Sequence, residues 1–112
     1  MDMPPAIICE APRAVDGDNI RCANITESIR LLGIDAPEMG KCRKRAGCAP
    51  GSGPAAKQAL AELLRRGPVV VAPEGKDRYG RVLARVSIGT IDLSCEMLAA
   101  GHAISRYSKI SC

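Results

Sequence analysis

The chain of 112 residues contains no Phe and no Trp, only two Tyr (Tyr79 and Tyr107) and a single His, His102. A core must therefore be assembled from Val, Ile, Leu, Ala and Met. Base stacking can add little to any affinity for nucleic acid, because each stacked base needs an aromatic face to meet. One His and no Cys-x-x-Cys pair leave a structural zinc site without its usual ligand spacing. No segment approaches the apolar length that a membrane-spanning helix needs. The start, Met1-Asp2-Met3-Pro4-Pro5, lacks the charged and apolar regions of a signal peptide.

What is present points elsewhere. Six cysteines in so short a chain, an even number, predict disulfides and an oxidising compartment. The expected location is therefore periplasmic or secreted, with a leader already removed; the cytoplasm, with free thiols, is the alternative. The length suits one domain, expected over residues 1–112, with a modest core. A net charge of +4 suits a polyanionic partner, although a basic surface alone identifies none.

Hydrophobic patterning predicts strands at Ala6–Val15, Asn19–Ala23, Ser28–Ile34, Pro68–Pro73 and Arg81–Ile88. Asp16-Gly17 marks the first hairpin turn and Asn24–Glu27 a second, polar turn. Met39–Gly53, rich in Gly, Lys, Arg and Cys, reads as a loop that a Cys42–Cys48 bridge would close. The sequence does not assign partners to Cys9, Cys22, Cys95 and Cys112. Pro54–Arg66 reads as a helix, with Ala56, Ala59, Leu60, Leu63 and Leu64 on one stripe. Asp92–Ala100 reads as a second helix stopped by Gly101, and the tail as irregular. Three strands, a helix, two strands and a helix is the order of a five-stranded Greek-key barrel of the OB type.

Two clusters carry chemistry. Asp16 and Asp18 at the first turn, with Asp35 and Glu38 after the third strand, supply the oxygen ligands that a hard cation such as calcium takes. Arg30 and Arg81 supply forked donors that match a phosphate. A metal, a carboxylate base and two guanidiniums together suit phosphodiester hydrolysis. The plain alternative is that the Asp residues serve turns and the Arg residues face solvent. One spacing is awkward. Arg30 and Asp35 are five apart, which strict alternation puts on opposite faces unless the strand bulges at Gly33 or ends before Asp35.

Val15-Asp16-Gly17-Asp18, the segment Ile29–Glu38 and Asp77-Arg78-Tyr79-Gly80-Arg81 resemble, in order and spacing, the motifs of the staphylococcal nuclease (thermonuclease) family. Leu98–Ala103 extends the likeness. The resemblance implies an OB-type barrel with two main helices and the family's C-terminal helix missing or truncated. It implies a calcium-dependent nuclease acting on DNA and RNA, with a preference for single strands and 3′-phosphate products. Asp18, Asp35 and the Ala36 backbone carbonyl would hold Ca2+, with Glu38 acting through water and as general base. Arg30 and Arg81 would bind the phosphate, and Tyr79 a terminal phosphate. A monomer with no protein partner is expected. Asn19 stands where the family usually has Thr, and only Tyr107 is available near the base pocket. Asp77 is expected to fix the turn before Arg81. His102, outside the motifs, is expected to be structural or solvent-facing. The basic run Lys41–Arg45 either grips a polyanion or is simply solvated. The competing reading is a non-catalytic OB module that binds single strands. Retained carboxylates argue against it, since they repel a polyanion unless a cation intervenes.

Overall fold

Alternation settles the central strand: Val82, Ala84, Val86 and Ile88 are buried, with less buried residues between them. Around it a computed structural model describes residues 5–112, so the expectation for the segment before Pro5 lies outside the described residues. The elements are β1 (Ile7–Ile8), β2 (Arg13–Ala14), β3 (Asn19–Cys22), β4 (Ile25–Leu31), β5 (Ile34–Asp35), α1 (Gly53–Leu63), β6 (Val70–Lys76), β7 (Val82–Ile88), β8 (Ile91–Asp92), α2 (Leu93–Ala99) and β9 (Ile104–Ser105). The main sheet runs β1-β6-β7-β4-β3-β2 with β8 on β7, and β5 pairs with β9. Every pairing is antiparallel except β4 with β7. The result is an α+β domain with two helices and a mixed sheet.

The expected closed barrel is not formed by the described ladder. Its two ends, β1 and β2, are the halves of what patterning predicts as one strand. Ala11, with φ 47°, and Pro12 separate them. A positive φ turns the chain, and proline removes a ladder donor. The seam is bridged by other means. Cys9 is bonded to Cys22, Ala23 N–H donates to the Glu10 carbonyl at 2.7 Å, and Asn24 bonds both Glu10 N–H and the Ile8 carbonyl.

Boundaries shift where local pairing overrides composition. β4 starts at Ile25, not after Glu27, because Cys22 pairs with Ile25 across a two-residue turn. Ser52 caps α1 by accepting from Ala55 N–H at 3.1 Å. The helix ends at Leu63, short of the expected Arg66, where tighter bonds such as Arg66 N–H to the Leu63 carbonyl take over. Asp92 caps α2. The tail is not irregular throughout: β9 pairs with β5, Ile110 packs on the core, and Cys95–Cys112 pins the end. Ile20, Ile29, Leu31, Val86, Leu93 and Met97 are among the fully buried side chains. Aliphatic residues and Met thus fill the centre, as the lack of aromatics requires.

Candidate active site

Pairing registers bring the charged residues together. Asn19 lies opposite Arg30 in the β3–β4 ladder, which sets Asp18 beside that strand. Leu31 N–H donates to the Asp18 carbonyl at 2.9 Å and fixes the approach. In the parallel ladder Ile29 lies opposite Val82, so Arg81 enters at the same end as Arg30.

The awkward spacing of Arg30 and Asp35 is resolved by a turn. β4 ends at Leu31, Gly33 takes φ +79°, and β5 begins at Ile34. The chain reverses phase, and Arg30 Nη2 reaches the Ile34 carbonyl at 3.1 Å and Asp35 Oδ1 at 3.7 Å. Arg30 Nη1 lies 3.4 Å from Asp18 Oδ2. One buried guanidinium therefore spans the two carboxylates. A side chain at Gly33 would be strained, and its Cβ would sit 2.6 Å from Ile110 Cγ2. Ala36 meets Asp18 through its N–H, which donates to Asp18 Oδ2 at 2.9 Å.

Arg81 is held by Asp77. The Asp77 carboxylate accepts from Tyr79 N–H and Arg81 N–H at 2.9 Å each and pairs with Arg81 Nε at 2.6 Å. Asp77 thus serves the turn, as expected. Burial would raise its pKa, but the bonds from Arg81 and Tyr79 hold it below the ordinary carboxylate value. The Tyr79 ring lies under both Arg81 and Arg78, at 5.5 and 5.1 Å, and its hydroxyl accepts from Arg78.

A cleft of about 530 Å³ is lined by Asp16, Asp18, Asn19, Arg30, Glu38, Lys44, Tyr79, Arg81 and Tyr107, among others. Glu38 is held near the helix start because Gly53 has no side chain: a Cβ there would collide with the Glu38 carbonyl. His102 does not line the cleft; its N–H closes α2 by donating to the Met97 carbonyl at 2.9 Å.

Two residues of the site were not singled out by sequence reasoning. Lys44 donates to Asp35 Oδ1 at 2.5 Å and lies 3.8 Å from Glu38. Arg106 donates to Asp35 Oδ2 at 2.9 Å and to the Gly47 carbonyl at 2.8 Å. The basic run Lys41–Arg45 was the signal for Lys44, without indicating which lysine turns inward. Arg106 gave no signal, because only the β5–β9 pairing brings it near Asp35. Tyr107, with φ 73°, stacks its ring on Arg30 at 5.1 Å.

Charge in this cleft is crowded. Burial is the main cause that pushes the Asp18 pKa up to about 7; a hydrogen bond with Asp16 adds to it, against the attraction of Arg30. Asn19 Nδ2 bridges Asp16 and Asp18, donating to Asp18 Oδ1 at 3.1 Å. Its Oδ1 is buried with no hydrogen-bond partner among the described residues. An orphaned acceptor costs ~1–3 kcal/mol unless water or a cation meets it.

No three His, Cys, Asp or Glu side chains among the described residues form a ready-made metal cluster. The donors that Arg30 joins are oxygens: Asp18 and, behind Lys44, Asp35. Every cysteine is in a disulfide: Cys9–Cys22, the expected Cys42–Cys48, and Cys95–Cys112. The donor set therefore fits a hard cation that keeps several waters, and offers nothing to a soft one.

A sequence profile described as staphylococcal nuclease homologue matches residues 28–111. The chain is 33% identical over 98 residues to a Haemophilus influenzae protein named "Uncharacterized endonuclease", covering 85% of this chain and 50% of that one. It is 39% identical over 79 residues to a Shigella flexneri protein named "Micrococcal nuclease", covering 69% of this chain and 40% of that one. The chain thus spans half or less of these curated relatives. The matched span runs from within β4 through the tail, and so carries Arg30, Asp35, Glu38 and Arg81: the chain belongs to the family of staphylococcal nuclease homologues.

Proposed function

We propose that the protein is a calcium-dependent nuclease that hydrolyses phosphodiester bonds of DNA and RNA, prefers single strands and leaves 3′-phosphates. One observation carries the reading: Arg30 spans Asp18 and Asp35 at the edge of a cleft that Glu38 and Arg81 also line. Family membership and the names of the relatives support it. Asp18, Asp35 and the Ala36 carbonyl would hold the calcium ion. The bound ion supplies neutralisation of phosphate charge and a more acidic water.

The chain's own groups do the rest. Arg30 and Arg81 take the phosphate oxygens and stabilise the charge that grows on them. Asp77 keeps Arg81 pointed into the cleft. Glu38, partly exposed there, accepts the proton of the attacking water. Water adds to phosphorus, the bond to the 5′ oxygen breaks, and that oxygen takes a proton from solvent water, to which Glu38 releases the one it accepted. Tyr79 receives a terminal phosphate through its hydroxyl. The break between β1 and β2, centred on Ala11-Pro12, is read as the opening of an OB-type barrel. The disulfides support an oxidising, periplasmic or secreted location. No helix among the described residues is long and apolar enough to cross a membrane. We expect the protein to act as a monomer.

The test is cleavage of heat-denatured DNA with excess calcium, with chelator, and with Arg81→Ala. Calcium-dependent cleavage that collapses in the variant supports the reading. Binding of DNA without cleavage at any calcium concentration replaces it with the non-catalytic module.

A further inference from the structure

We propose that Lys44 is a tethered competitor for the cation, covering Asp35 in the metal-free protein and yielding when a divalent ion binds. This rests on the calcium reading above. Asp35 has no exposed side-chain surface and does not line the cleft. Lys44 does line it, and its ammonium lies on Asp35 Oδ1. The lysine is thus interposed between that carboxylate and the solvent from which a cation arrives. The same ammonium reaches Glu38 at 3.8 Å, so it contacts two of the carboxylates assigned to the ion.

Three basic groups meet Asp35, and they are not equally free to leave. Arg30 is buried and bonded to the Ile34 carbonyl. Arg106 is fixed through the Gly47 carbonyl and follows a strand paired with β5. The Lys44 ammonium has only its two carboxylate contacts among the described residues, on a flexible stem that is 29% exposed. It is therefore the group that can swing out. Its backbone stays close, because Cys42 and Cys48 close the loop around it and Arg106 holds the loop at Gly47. A short closed ring keeps the lysine at high local concentration, which makes it an effective competitor.

Calcium binding to the full disulfide-bonded chain distinguishes this role. Calorimetric titration at fixed ionic strength would compare the parent with Lys44→Met, Lys44→Arg and Lys41→Met. Removing the charge in contact should tighten calcium binding about tenfold. Lys44→Arg should stay within about threefold of the parent, and so should Lys41→Met, which removes the same charge from an exposed position of the loop. A parent that binds calcium with a Lys44→Met variant that binds no tighter overturns the proposal alone. An equal gain in Lys41→Met also overturns it, by reducing the effect to general charge. Failure of both the parent and Lys44→Met to bind calcium overturns the calcium reading and this proposal with it. Should Lys44→Met fail to fold, Cys42→Ser with Cys48→Ser opens the ring; tighter calcium binding supports competition, and unchanged or weaker binding overturns it.

Discussion

Asp18 should make the metal-free protein less stable as pH rises through neutrality. Its folded pKa of about 7 stands above the unfolded value of 3.8. A raised carboxylate binds a proton more tightly when folded, so its contribution is complete below pH 3.8 and is lost as pH passes 7. The shift corresponds to about 4 kcal/mol in full, of which about 3 kcal/mol falls between pH 5 and 8. Asp18 is only 5% exposed, so solvent screens this little. The assay is urea unfolding with chelator at several pH values for the parent and for Asp18→Asn, which keeps the shape and cannot ionise. Subtraction removes the other titrating groups. The stability of Asp18→Asn relative to the parent should rise by about 3 kcal/mol from pH 5 to pH 8. A difference that stays flat over that range would refute the reasoning, and would mean that Arg30 and Ala36 N–H outweigh burial. Excess calcium should flatten the parent's profile, because it selects the ionised carboxylate.

Arg81→Ala should lower the rate of cleavage by ~10²–10³ with little loss of stability, read by initial rates and a thermal melt. Asp77→Asn weakens the grip on Arg81 and should cost activity without abolishing it, while Arg81→Ala in that background adds less than it does alone. Gly33→Ala forces a side chain into a left-handed position against Ile110 and should destabilise by ~1–3 kcal/mol in urea unfolding. Replacing Cys9 and Cys22 by Ser removes the covalent tie across the seam between β1 and β2 and should cost about 3 kcal/mol; an unchanged midpoint would show that Asn24 holds the seam alone.

Apart from Arg30, which lies within β4, the motif residues were legible because they sit on or beside turns whose chemistry is local. Asp16-Gly17, Asp35-Ala36-Pro37 and Asp77–Gly80 announce themselves by composition. α1 was legible from its stripe, and β7 from its alternation. The break in the first strand was less so: Pro12 marked an irregularity, but the positive φ at Ala11 belongs to a non-glycine residue and has no composition signal. β9 was missed because two residues form too short a pattern, and its pairing depends on β5, seventy positions earlier. The proper phase of Arg30 and Asp35 was open in the sequence, which named Gly33 as the place where it could be resolved.

By itself, the sequence determined the supply of chemical groups: oxygens for a hard cation, two arginines for a phosphate, six cysteines, and an aliphatic core. It also determined where the chain turns, since glycine, proline and aspartate act on their own backbone. Tertiary structure alone decided which charges meet. Asp18 joins Asp35 through Arg30, Lys44 turns inward while Lys41 does not, and Arg106 arrives from the tail. Such contacts depend on strand registers and disulfides that link distant segments, and the energy of a charge pair depends on burial that no local pattern encodes.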